Sequence, residues 1–218
     1  MIQRQLLNAR ESTMITERDA LLMEIHHRVK NNLQLIESLL CIQADKVKDT
    51  RYLNLFSSYT RRIHAIARIE DSLYHEDYLD KIDFKNYVVN MVRHLRNNLV
   101  DHERYDITIK CNIDPISLNI NKAIPCALII NEIISNSLIH AFTGDEQGLI
   151  TIKITADSNN ERFNLEMQDN GTGLAETINI DEPTTMGLEM IRVLVRQLNG
   201  VISLRIENGT RYVITFPA

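Results

Sequence analysis

The run LLMEIHHRVKNNLQLIESLLCIQ, residues 21–43, spaces Leu22, Ile25, Val29, Leu33, Ile36 and Leu40 by threes and fours. That period draws one apolar stripe along a helix. At about 100° per residue, His27 points roughly opposite the stripe, while His26 stands at its edge, roughly 60° from its centre. One histidine is therefore offered to solvent, either as an ordinary surface residue or as a reactive group.

Outward from this stripe, residues 1–20 are polar and helix-compatible. Leu7, Met14 and Ile15 fall near the stripe extended backwards and Glu11 and Arg18 interrupt it, so a connecting helix is expected there. Beyond Gln43 the polar run ADKVKDT ends the first helix. Tyr52, Leu55, Phe56, Tyr59, Ile63, Ile66, Ile69 and Leu73 then mark a second amphipathic helix. Each helix alone exposes a stripe that it cannot bury. A helical hairpin over residues 21–80, paired with a second copy into a four-helix bundle, closes the seam and predicts a homodimer. A monomeric bundle completed by the rest of the chain is the alternative. Residues 77–83 form a polar hinge.

With 218 residues, 44% of them hydrophobic, the chain has enough apolar surface for two compact units. A net charge of −5 with seven glycines and four prolines argues against a nucleic-acid surface built on bulk positive charge, and against long disordered segments. Cys41, Cys111 and Cys126 are odd in number, widely spaced and outside any paired metal-ligand pattern, so reduced thiols in a cytoplasmic setting are expected. No run approaches the ~18 to 20 apolar residues of a membrane span, and no basic region followed by an apolar core opens the chain. No membrane segment is expected.

From residue 81 to 218 the signals turn to mixed α and β. A helix over 84–99 precedes a strand over 105–113 whose alternation suits a half-buried edge. KAIPCALIINEIISNSLIHA, residues 122–141, is a long apolar helix carrying Asn131, Glu132, Ser135 and Asn136 on neighbouring turns. Buried polar groups are costly without partners, so these either bond one another and the backbone or face a ligand. Strands over 149–156 and 163–168 follow, the second running into DNGTGL. Gly171 and Gly173 let the backbone turn sharply and approach a flat ligand, and the Asp169 carboxylate can accept a hydrogen bond from an amino group. Asp-Asn-Gly is equally an ordinary turn. Met186-Gly187-Leu188 opens an amphipathic helix over 188–198 with Gly200 as its stop signal. Strands over 201–206 and 212–216, joined at Asn208-Gly209, complete a sheet with helices on one face.

HHRVKNNLQ resembles the phosphoacceptor box of sensor histidine kinases, in the branch whose modified histidine is followed by Arg-x-Lys-Asn. Glu132-x-x-x-Asn136, then Asp169 with Gly171 and Gly173, then Met186-Gly187-Leu188 resemble the Bergerat ATP-binding fold of histidine kinases, type II topoisomerases, Hsp90-like chaperones and MutL-like repair proteins. The likeness covers residues 20–218. It implies a multi-domain chain, α then α+β: a dimerisation and phosphotransfer hairpin forming a dimeric four-helix bundle, then an α/β sandwich of the Bergerat type that binds ATP and Mg2+. By that resemblance His27 is the phosphoacceptor, Asn136 ligates Mg2+, and Glu132 supports the metal or its water. Asp169 recognises the adenine amino group, while Gly171 and Gly173 shape the base pocket. Gly187 and Leu188 lie near the phosphates at a helix start, where free N–H groups and the dipole favour an anion. His140 belongs to the same nucleotide site, and residues 174–186 form a short lid. Asn31, one turn after His27, orients water for regulator dephosphorylation. The implied partners are a response regulator receiver domain and an upstream sensor domain or protein.

Two positions depart from the family pattern. Ile139 stands where many histidine kinases carry a lysine, so charge compensation for the phosphates must come from elsewhere. Arg28 stands where the common pattern puts an acidic residue; its planar, permanently charged fork suits a phosphate contact. Glu24, one helical turn before His27, is a candidate base on geometry alone. A related ATPase that uses Glu132 to activate water, or an inactive nucleotide-binding dimerisation scaffold, shares the second half of the chain. A serine kinase of the anti-sigma type shares the fold but has no use for the hairpin.

Overall fold

Apolar residues recur every three to four positions over residues 31–73 and every second position in the strands beyond residue 106. The chain divides accordingly into two compact units, Met1–Glu70 and Asp71–Ala218. The computed structural model describes residues 24, 28, 29, 31–73, 82–99, 106–142, 147–157, 159, 161–174, 178, 180–183 and 185–218. The expected connecting helix over 1–20, both His26 and His27, hinge residues 77–81 and lid residues 175–177, 179 and 184 lie outside the described residues.

The first unit carries α1 (residues 31–44) and all but the last turn of α2 (Thr50–Leu73). The Asp45 amide donates to the Cys41 carbonyl at 3.0 Å and closes α1, and the Asp49 carbonyl accepts from Tyr52 and Leu53 to start α2. Leu33 and Leu40 of the expected stripe are half-buried, while Ile36 stays exposed. Leu35, Leu39 and Ile42 form a second stripe, between 50% and 61% exposed. On α2, Arg62 is buried with its guanidinium 5.7 Å from the Tyr59 ring centre.

The second unit runs β1 (Ile82–Asp83), α3 (Phe84–Leu99), β2 (Ile107–Ile113), β3 (Ser117–Leu118) and α4 (Ile120–Asn136) with a π-helical turn (Ser137–Ala141). Then come β4 (Gly148–Ala156), β5 (Arg162–Asp169), α5 (Met186–Gln197), β6 (Val201–Ile206) and β7 (Thr210–Pro217). β1 and β3 pair as a two-stranded ribbon, and the main sheet has the order β2-β4-β5-β7-β6. β2 runs parallel to β4 and the other neighbours are antiparallel. β2 lies at the edge, as its alternation implied. Asn208 and Gly209 both take positive φ, 52° and 111°, in the β6–β7 turn that Asn-Gly announces.

Register builds the core in rows across the sheet. Ile154, Leu165, Ile214 and Ile202 form one row, and Ile152, Met167, Tyr212 and Leu204 the next. Helices cover this apolar face, with α4 packed between α3 and α5. The other face is polar, and on it Arg211 pairs with Glu166 at 2.8 Å. The result is a two-layer α/β sandwich whose sheet alternates apolar-in and polar-out.

The central helix corrects one expectation. Ile120–Ala141 is long and apolar enough to meet the length and composition of a membrane span, although no such run was expected. Of its apolar window, 78% is buried inside the domain, as befits a core helix. Burial also pushes the Cys126 thiol on this helix well above its ordinary pKa, whereas Cys41 and Cys111 are exposed.

Candidate functional site

Phe163, Leu165 and Met167 occupy the inward positions of β5, and the next inward residue is Asp169. A carboxylate thus takes the end of an apolar row, with Asp169 only 4% exposed. Its oxygens are met by fixed donors. Oδ1 accepts the backbone N–H groups of Gly171 and Thr210, each at 3.1 Å, and Oδ2 accepts the Ser137 hydroxyl at 2.8 Å. Hydrogen bonds to an ionised acceptor are the strong ones, and they offset the cost of burial. The Asn170 side chain accepts from the Leu149 N–H at 2.6 Å and donates to the Gln147 carbonyl at 3.2 Å, tying the loop to the start of β4. The Thr172 N–H donates to the Ala141 carbonyl at 2.8 Å, so the loop also lies on the end of the π-helical turn.

Glu132, Asn136 and His140 face one cavity from α4 and its extension, as do Ile133, Ser137 and Ala141. Both sets repeat every four residues. An α-helix drifts about 40° over four residues, and the wider π-helical turn rotates the last pair back into line. The opposite wall is the start of α5. There Thr185 caps the helix by accepting the Leu188 N–H at 3.4 Å, and Thr185, Gly187 and Leu188 line the cavity. Gly187 is held close: a Cβ there would fall on Glu132 Oε1 and lie 3.5 Å from Asn136 Nδ2. The cavity measures about 250 Å3, just below the roughly 300–1,000 Å3 of small-molecule sites.

Two carboxylates, Glu132 and Asp169, lie on this wall together with a helix N-terminus. No Lys or Arg lines it among the described residues. Burial, then the charges of Asp169 and Glu132, push the Tyr212 phenol far above its ordinary pKa, so it stays neutral. The Asn136 amide and Glu132 carboxylate converge beside Gly187 and supply oxygen atoms of the kind a hard divalent cation takes. Among the described residues no three His, Cys, Asp or Glu side chains cluster as a cage. Two protein ligands with the remaining positions left to water and phosphate is how Mg2+ is usually held.

Seven expected site residues, Glu132, Asn136, His140, Asp169, Gly173, Gly187 and Leu188, share this cavity. Gly171 stands behind it: a Cβ there would fall on the Ala141 carbonyl. Ile139 is exposed and off the wall. Arg28 and Asn31 belong to the first unit and are exposed, and Arg28 Nε donates to Glu24 Oε1 at 2.8 Å. Glu24 is therefore engaged by arginine. Among the cavity residues not named from sequence, three are polar. Ser137 has a signal, since it adjoins Asn136 in a run of polar residues; Thr210 contributes a backbone N–H, which no side-chain pattern records; Tyr212 reads as an ordinary strand aromatic.

Residues 24–99 match the family model described as histidine kinase, and residues 121–218 match the one described as histidine kinase-, DNA gyrase B- and HSP90-like ATPase. The chain is 28% identical over 212 residues to the sensor histidine kinase PdtaS of Mycobacterium tuberculosis, covering 95% of this chain and 41% of that protein. It is 26% identical over 203 residues to blue-light-activated histidine kinase 2 of Erythrobacter litoralis, covering 91% of this chain and 57% of that one. It thus spans about two fifths to three fifths of the length of these curated relatives. The solved histidine kinase domain of the Erythrobacter litoralis EL346 blue-light activated histidine kinase shares the fold, with a TM-score of 0.68 at 23% identity over 93% of each chain. With one match following the other along the chain, this protein joins a segment that matches the histidine-kinase model to a domain that matches the histidine kinase-, DNA gyrase B- and HSP90-like ATPases.

Proposed function

We propose that the chain is the catalytic core of a two-component sensor histidine kinase. It moves the γ-phosphoryl group of Mg2+-ATP to His27 and then to an Asp on a response regulator receiver domain. The observation that carries this reading is the single cavity in which Glu132, Asn136, Asp169 and Gly187 meet at the N-terminus of α5. Asp169 has one acceptor position left for the adenine amino group. Gly187 and Leu188, at the positive end of α5, suit the phosphates, and His140 lies on the same wall. Asn136 with Glu132 would hold Mg2+, which when bound neutralises phosphate charge.

A nitrogen lone pair of neutral His27 forms the N–P bond as the bond from the γ-phosphorus to its bridging oxygen breaks. ADP leaves and the proton on the opposite ring nitrogen is released. In the second transfer a carboxylate oxygen of the regulator displaces the imidazole from phosphorus. Arg28 is suited to contact the phosphoryl group, and Asn31, one turn on, to orient water for regulator dephosphorylation. The exposed Leu35, Leu39 and Ile42 stripe supports pairing of two chains, under an upstream sensor domain or protein.

The test is incubation with Mg2+ and γ-labelled ATP, comparing wild type, His27→Gln and His26→Gln. Acid-labile, base-stable label lost only in His27→Gln is expected. Loss only in His26→Gln would move the acceptor by one residue. Phosphate released to solution with no retained label would replace the kinase with an ATPase in which Glu132 activates water, and nucleotide binding with neither would leave a scaffold.

A further inference from the structure

Asp169 has most of its hydrogen-bonding capacity committed inside the protein. An ionised carboxylate offers about four acceptor positions. Two on Oδ1 are filled by the Gly171 and Thr210 N–H groups, and one on Oδ2 by the Ser137 hydroxyl. That leaves the last, on Oδ2, for a ligand in the cavity that Asp169 lines. Ser137 decides how that position is presented. It is itself buried, opens the π-helical turn, lines the cavity, and is the side-chain donor in a set whose other members are backbone. Its single hydroxyl hydrogen points at Asp169, so toward the cavity Ser137 Oγ has only lone pairs to offer.

We propose that Ser137 is a positioning residue that selects the nucleobase: by donating to Asp169 Oδ2 it makes this part of the cavity a surface of acceptors. The inference rests on the ATP-binding reading above and adds the residue that sets the choice of base. A 6-aminopurine brings N–H donors to that surface. A 6-oxopurine brings an oxygen against oxygens, and discrimination follows from the unmatched acceptors as much as from the good contact. Without the hydroxyl, Oδ2 loses the donor that orients it, and a water molecule can enter to present a hydrogen to either kind of base.

The whole chain is titrated calorimetrically with ATP and with inosine triphosphate, as wild type, Ser137→Ala and Ser137→Thr. Wild type is expected to prefer ATP. Ser137→Ala should weaken ATP about tenfold without weakening inosine triphosphate, and Ser137→Thr, which keeps the hydroxyl, should restore the preference. Equal weakening of both nucleotides, or an unchanged preference, overturns the role of Ser137 and leaves the ATP site standing. A wild type that binds neither nucleotide overturns the site and the inference together. If melting shows that Ser137→Ala does not fold, Ser137→Cys serves instead: its weaker S–H donor should give a preference below that of serine, and a preference equal to wild type counts against the proposal.

Discussion

Glycines at the site separate two physical roles that look alike in sequence. A Cβ on Gly187 would meet the far end of the Glu132 side chain rather than backbone. A Cβ on Gly171 would meet the Ala141 carbonyl and lie 2.6 Å from the Ala141 Cβ, so backbone must move. Gly187→Ala should therefore lower the melting temperature less than Gly171→Ala while weakening Mg2+-ATP about tenfold or more, because the Glu132 carboxylate is displaced from its place beside Asn136. Gly171→Ala should cost about 1–3 kcal/mol of stability, as forced overpacking does. Thermal denaturation beside nucleotide titration checks both, and a Gly187→Ala as unstable as Gly171→Ala would refute the distinction. At this scale the sequence disclosed the residues whose chemistry is unusual for their place: carboxylates and amides in apolar runs, glycines at loop ends. Ser137 and Thr210 escaped because one is a common helix residue and the other acts through its backbone.

The longer elements were legible because their periods persist. β4 alternates over its first eight residues and β5 over all eight, and α5 keeps a helical period between a threonine cap and Gly200. β1 and β3 hold two residues each, too few to show a period, and their pairing is set by contacts distant in sequence. The π-helical turn was also hidden, since Ser137–Ala141 continues the apolar run of α4 and only the cavity reveals the altered rotation. α4 begins where Asn119 Oδ1 accepts the Lys122 N–H at 3.1 Å, far along the helix from Asn136. Asn119→Ala should lower stability by about 1 kcal/mol, as loss of an N-cap does, and leave nucleotide affinity unchanged. Urea denaturation followed by nucleotide titration tests this, and a matching loss of affinity would mean that the cap, not packing, sets the position of the far end.

In the whole molecule the two units divide the work between surface and cavity. The second unit buries its apolar rows within itself, whereas α1 leaves Leu35, Leu39 and Ile42 open along one side and α2 leaves Tyr52 and Leu55 open. Apolar side chains at three- and four-residue spacing on an exposed helix are a seam awaiting another helix, and a second copy of the chain supplies one of matching pattern. The stripe drawn from sequence lies beside this one, with Ile36 at the margin between them, because spacing alone does not tell which of two adjacent apolar faces turns inward. Sedimentation should show wild type as a dimer. Leu39→Glu places a charge in the middle of the seam, where pairing would desolvate it, so the variant should sediment as a monomer at the same concentration. Its ATP affinity should match wild type, because the described residues that line the cavity all belong to the second unit. A wild type that sediments as a monomer, or a Leu39→Glu variant that stays dimeric, removes the hairpin face as the site of pairing without touching the nucleotide site.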